Sequence, residues 1–215
     1  MAGMIICIDG LDGAGKNTQS TMLEKKLRNM GYPVSLRSYP DYESRYGKII
    51  REHLTKKITL NVYEFFLMFV ADMMKDKVSV DEEVKNGGIA IMDRYFIATV
   101  AYQSAGGFDF EKAKAIESIV GLAPPDIVFY LHVPVSVSQE RKIKQKSLHG
   151  DSADRHEADR VYLSRVMNMY DRLYDDKYPD GTAWVKIDAT RSIEQVHEQI
   201  MNVVTEKIGK PGKQL

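Results

Sequence analysis

The sequence predicts an α/β fold of three layers: a five-stranded parallel sheet flanked by helices, with a short lid. Three observations predict it. Short apolar runs alternate with longer amphipathic segments, as a parallel sheet with crossover helices requires. A glycine-rich loop ending in Lys16 stands between the first apolar run and the first helical segment. The 215 residues, 44% hydrophobic and 28% charged, suit one domain with a substantial core.

Met4 to Asp9 reads as the first strand, and Thr18 to Met30 as a helix stopped by Gly31. Val34 to Tyr39 is a second strand, closed by Pro40. Ser44 to Leu54 and Val62 to Lys85 are expected helices, the latter one long element with Phe65, Phe66, Phe69 and Met73 striped along a face. Asn86-Gly87-Gly88 breaks it, and Ile89 to Met92 is a buried strand running into Asp93-Arg94. Helices follow at Phe96 to Ser104 and Phe110 to Val120, then a strand at Ile127 to Val133. Val135 to Lys146 and Asp159 to Asp175 are helices around a polar segment, Ser147 to Ala158, expected to act as the lid. Trp184 to Ile187 supplies the fifth strand and Ser192 to Ile208 the last helix, which leaves Gly209 to Leu215 as a tail.

Charge and composition narrow the partners. Thirty Lys plus Arg balance thirty Asp plus Glu, so the chain lacks the one-sided positive field of a dedicated nucleic-acid binder. Any anion site must be local. No run of about 18 apolar residues suggests a membrane span, and no secretory signal is recognisable. The single cysteine, Cys7, excludes an internal disulfide and reads as a core thiol, consistent with a reducing, cytoplasmic setting. The five histidines form no HxxxH or HExxH spacing, and no transition-metal site is expected.

The chemistry is concentrated in "GLDGAGKNT", Gly10 to Thr18. Glycines at 10, 13 and 15 allow backbone N–H groups to surround a phosphate, and the following helix adds its partial positive charge. This is the GxxxxGK loop of nucleoside triphosphate-binding proteins, with Leu11, Asp12 and Ala14 filling the open positions. Lys16 is expected to reach the β and γ phosphates. Asn17 stands where a Ser or Thr hydroxyl normally meets Mg²⁺; its amide oxygen remains an acceptable hard ligand, with altered reach.

The loop, "MDRYFIATVAYQ" (Met92 to Gln103), "PPDIVFYLHVP" (Pro124 to Pro134), "DRHE" (Asp154 to Glu157) and "IDATRSIEQVHEQI" (Ile187 to Ile200) follow in order. Together they resemble the thymidylate kinase family over nearly the whole chain. That resemblance implies the P-loop NTPase fold, a homodimer, and transfer of the γ phosphate of ATP to dTMP with Mg²⁺. There is no NKxD guanine signature.

Laid onto matching positions, the resemblance implies that Asp93 faces Mg²⁺ with Asn17, and that Arg94 clamps the acceptor phosphate. Asp12 would face the acceptor's 3′-hydroxyl, and Tyr102 would lie against the sugar and disfavour a 2′-hydroxyl. Phe69 would stack on the base, although periodicity alone reads it equally well as core. Thr99 and Gln103 would stand near the base edge, and Arg141 near adenine. Because Gly13 follows the loop Asp, an extra cation would come from the lid, where Lys144, Lys146 and Arg155 are candidates. A charge run on a helix is more commonly a solvated face.

The chain also departs from the family. Met73 stands where many members carry a thymine-reading Arg. Tyr42 occupies the place of a phosphate-binding Arg, with Arg45 three residues later, and His132 replaces a frequent Asp. An apolar wall at Met73 would discriminate bases weakly, so relaxed selectivity is expected. Two other readings stay open: a UMP/dUMP or broad-specificity monophosphate kinase, and a non-catalytic nucleotide-binding protein disabled at Asn17.

Overall fold

Five strands form one parallel sheet: β1 (Met4–Gly10), β2 (Val34–Ser38), β3 (Ile89–Asp93), β4 (Ile127–His132) and β5 (Ala183–Asp188). Their spatial order is β2-β3-β1-β4-β5. The computed structural model describes residues 3–149 and 159–208, the side chains of 146–149 excepted. Every residue of β1 and β3 is buried, which is why these strands read as unbroken apolar runs and not as alternating ones. In register, Ile8 lies beside Asp93 on one side and Phe129 on the other.

The helices are α1 (Lys16–Asn29), α2 (Arg45–Leu54), α3 (Val62–Met74), α4 (Lys77–Lys85), α5 (Phe96–Ala105), α6 (Phe110–Val120), α7 (Val135–His149), α8 (Arg160–Asp175) and α9 (Ile193–Ile208). Crossovers place β2 and β3 on one side of β1 and β4 and β5 on the other, so the winding reverses beside β1. Ligands of open α/β sheets gather beyond the strand ends at such a reversal.

Two expectations of extent are corrected. The single long helix from Val62 to Lys85 is two helices, broken at Lys75-Asp76. Asp76 accepts a hydrogen bond from the Tyr39 hydroxyl at 3.0 Å, and the Lys75 ammonium lies within 3.5 Å of Asp41, Asp72 and Asp76. These tertiary ties to the end of β2 override good helix propensity. The α7 helix runs to His149, past the expected end at Lys146 and into the expected lid. The rest of that lid, residues 150–158, and the tail, 209–215, lie outside the described residues.

Candidate active site

The site is built where β1 and β3 end. After Gly10 the chain turns through the loop into α1, whose N-cap Gly15 is left-handed at φ 93°. Gly13, at φ 76°, also admits a close approach: a Cβ there would stand 2.7 Å from the Ser138 carbonyl oxygen. The first turns of α7 therefore clamp the loop directly. Ser138 Oγ donates to the Asp12 carbonyl at 2.6 Å, and Arg141 donates to the carbonyls of Gly13 at 3.3 Å and Ala189 at 2.9 Å. Arg141 thus spans the loop and the β5–α9 connection.

Lys16 is buried, and its ammonium donates to the carbonyls of Gly10 at 3.1 Å and Leu11 at 2.8 Å and lies 3.7 Å from Asp12. Burial and the neighbouring Arg94 bring it down to about 8, against the opposing pull of Asp12, Asp93 and Asp9. Arg94 follows β3 in the left-handed region at φ 67°, a conformation that a non-glycine residue holds only where its surroundings over-determine it. Its amide donates to the Ile8 carbonyl at 3.1 Å. Its guanidinium donates to Asp12 and, at 3.4 Å, to the Tyr102 hydroxyl, and lies 4.9 Å from the centre of the Tyr102 ring. Burial would raise the Asp12 carboxyl, but Arg94, Lys16 and Lys142 outweigh it and hold the group well below the ordinary carboxylate range.

These groups open on one cavity. Asp12, Asn17, Asp93 and Arg94 line its charged end; Phe65, Phe69, Thr99, Tyr102 and Gln103 line the rest. Phe65 and Phe69 meet edge to face at 5.0 Å. Thr99 and Gln103, one turn apart on α5, are 4% and 5% exposed and reach the same space. Eight residues singled out from the sequence thus converge here: Asp12, Asn17, Phe69, Asp93, Arg94, Thr99, Tyr102 and Gln103. Gly10 to Lys16 form the adjoining loop, and Thr18 is exposed on the first turn of α1.

Other expected site residues are not brought to the cavity. Met73 is buried in the hydrophobic core. The face of α3 that carries Phe65 and Phe69 continues to Asp72, and Phe66, Val70 and Met73 turn inward. An apolar Met73 wall against the base is therefore absent. Arg45 is the first residue of α2, with its guanidinium 5.3 Å from the Tyr46 ring centre, and it does not line the cavity. Tyr42 does, with Arg51 at 4.7 Å over its ring. Lys144 is exposed on α7 and pairs with Glu140 at 2.8 Å. The Lys146 side chain and Arg155 lie outside the described residues.

Sequence reasoning missed four contributors. Lys142 lines the cavity, two residues before the expected lid cation, and Leu163 of α8 lines it from the other side. Ser138 fixes the loop. Asp72, fully buried, accepts from the Asp41 amide at 2.7 Å and the Ser44 hydroxyl at 2.5 Å, which holds the segment carrying Tyr42. A short carboxylate within the apolar run that follows Glu64 on α3, as Asp72 is, was the one available signal.

Comparison with known proteins gives the family. A family model described as thymidylate kinase matches residues 8–200. A thymidylate kinase of Arabidopsis thaliana is 32% identical over 214 residues, covering 97% of this chain and 75% of the relative. One from Schizosaccharomyces pombe is 30% identical over 203 residues, covering 94% and 92%. Among solved structures, a Candida albicans thymidylate kinase, described as revealing the origin of broad substrate specificity and a novel structural element, superposes with a TM-score of 0.78. It is 23% identical and covers 96% of this chain and 93% of its own, a likeness that shows the fold. With the family model spanning the loop, the Asp93-Arg94 turn and the α5 face of the cavity, the chain belongs to the thymidylate kinase family.

Proposed function

We propose that the protein transfers the γ phosphate of ATP to dTMP, giving ADP and dTDP. An oxygen of the acceptor phosphate attacks the γ phosphorus as the bond to the β–γ bridging oxygen breaks, and ADP leaves. The reading is carried by one observation: Asp12 is bracketed by the buried Lys16 ammonium and the Arg94 guanidinium, and Asp12 and Arg94 line a cavity that Phe65, Phe69, Tyr102 and Gln103 also line. Two phosphates held in line between an ammonium and a guanidinium need little further chemistry, because phosphoryl transfer depends on positioning and charge neutralisation.

The donor's phosphates suit the Gly13 and Gly15 amides and the α1 N-terminus, and its adenine suits the Arg141 side. Arg94 suits the acceptor phosphate, for which a planar fork is a better partner than a point charge. Phe69 and Phe65 suit a flat base, Thr99 and Gln103 its polar edge, and Tyr102 the deoxyribose.

Mg²⁺ belongs to the same reading. Asn17 offers an amide oxygen and Asp93 a carboxylate on one cavity, a hard-oxygen set suited to an ion that takes few protein ligands beside phosphate. When bound, the ion would neutralise phosphate charge. No group of three or more His, Cys, Asp or Glu that could hold a metal occurs among the described residues, so a protein-only cage is not part of the proposal.

Relaxed base selectivity is retained on a changed ground. With Met73 in the core, the base edge meets a rotatable amide and a hydroxyl, which adapt to either polarity of donor and acceptor. A homodimer through α3 is supported by Tyr63 and Leu67, 52% and 48% exposed on that helix. A cytoplasmic setting fits the lone buried Cys7, and no described helix is long and apolar enough to cross a membrane. An ADP-release assay with ATP over dTMP, dUMP, UMP, dCMP, AMP and dGMP tests the activity; silence toward dTMP overturns it.

A further inference from the structure

Beneath the phosphate loop lies a polar pair that does not line the cavity. Asp9, the residue before the loop's first glycine, is 0% exposed, and so is Tyr170 on α8. The Tyr170 hydroxyl donates to Asp9 Oδ1 at 2.6 Å across 161 residues of sequence, and the same oxygen accepts the Gly10 amide at 2.8 Å. Gly10 is itself confined: at φ 141°, with a Cβ position that would meet the Leu131 carbonyl oxygen at 2.4 Å, it cannot be replaced without moving β1 against β4.

The phenol ring is held as tightly as its hydroxyl. It stacks on Tyr130 at 5.3 Å and 17°, and meets the Tyr102 ring at 6.3 Å and 86°. Tyr102 in turn accepts the Asp12 amide at 3.2 Å and Arg94 at 3.4 Å. The pair therefore touches the root of the loop through Gly10 and the Arg94 side of the site through Tyr102. Burying a carboxylate and a phenol is costly, and an apolar pair of the same shape would fill the space with less desolvation. A satisfied buried polar pair does what an apolar one cannot, which is to fix direction.

We propose that Asp9 and Tyr170 are positioning residues that hold the root of the phosphate loop in register with Arg94 and Tyr102, so that donor and acceptor phosphates meet in line. Neither residue touches substrate. The inference rests on the phosphoryl-transfer reading above. Misplacement on the order of 1 Å costs about a hundredfold in such reactions, whereas binding, spread over many contacts, changes less.

The test is steady-state kinetics of the whole protein with ATP and dTMP, with rates normalised to ATP-binding stoichiometry. Tyr170→Phe keeps the ring stack and removes the hydroxyl. It is expected to lower kcat roughly tenfold or more while both KM values stay within about twofold. Asp9→Asn should do the same, and the double variant should be no worse than the poorer single one, since the two act as a unit. Tyr130→Phe, which alters a hydroxyl in the same stack, should keep kcat within about twofold. The inference is overturned by an unchanged kcat in Tyr170→Phe, by multiplicative losses in the double variant, or by a loss that disappears once rates are normalised to active sites. If Tyr170→Phe does not fold, Asp9→Asn decides alone by the same kcat-against-KM split. Wild-type protein that releases no ADP with any monophosphate overturns the activity and this inference with it; active wild type with indifferent variants overturns the inference only.

Discussion

The Arg94 guanidinium donates to the Asp12 carboxylate, a contact spanning 82 residues of sequence that ties the end of β3 to the loop after β1. The two strand ends become one charged rim, with Lys16 on the other side of Asp12 at 3.7 Å.

Asp12 should make the fold acid-sensitive. Burial opposes its charge, yet Arg94, Lys16 and Lys142 hold its carboxyl below the ordinary 3.8. A folded value below the unfolded one means that the stabilisation is complete above the unfolded pKa and is lost as pH falls through and below it. Thermal melts from about pH 6 to about pH 3 should therefore fall more steeply for the wild type than for Asp12→Asn, because only the wild type has that contribution to lose. Parallel curves would contradict the assignment.

Asn17→Thr should lower the Mg²⁺ concentration needed for half-maximal turnover and tighten Mg·ATP binding measured by calorimetry, because a hydroxyl restores the shorter ligand. Identical Mg²⁺ dependence and affinity in both proteins would remove Asn17 from the metal's surroundings.

Base choice should be broad among pyrimidine deoxynucleotides. A site with fixed buried partners rejects a wrong base by about 10⁴-fold or more, whereas adaptable or apolar contacts give on the order of 10- to 200-fold. The ratio of kcat/KM for dTMP over dCMP and dUMP is expected in the lower range, and Gln103→Leu should narrow it further. A ratio near the upper range would show a rigid base reader that Gln103 and Thr99 do not constitute.

Asp72 carries the segment that brings Tyr42 to the cavity. Asp72→Asn replaces an ionic acceptor of the Asp41 amide and the Ser44 hydroxyl and removes one of three carboxylates around Lys75. Denaturant unfolding should show a loss of about 2 to 4 kcal/mol, and KM for dTMP should rise. Unchanged stability would mean that the Asp41–Ser44 turn holds itself.

The legible and illegible parts of the molecule differ in physical kind. The sheet was readable because β1 and β3 are buried on both faces and so appear as unbroken apolar runs. The charged rim was readable because Asp12 to Lys16 and Asp93-Arg94 are contiguous in the chain, so local geometry delivers them to adjacent strand ends. The break at Lys75-Asp76 was not readable, since both residues are tolerable in a helix and the interruption comes from Tyr39 and Asp41, more than thirty residues away. Helix phase decided Met73: one residue's rotation puts it in the core and leaves Asp72 on the Phe65–Phe69 face. Lys142 and Ser138 depend on how α7 docks against Gly13, which no periodicity records.

Release of ADP from ATP and dTMP by the wild type, by Lys16→Ala and by Arg94→Ala, each confirmed folded by circular dichroism, is the most direct measurement. Joint positioning of two phosphates by an ammonium and a guanidinium predicts brisk wild-type turnover and a loss on the order of 10²- to 10⁴-fold in each variant. Turnover surviving in either folded variant at the wild-type rate would contradict it.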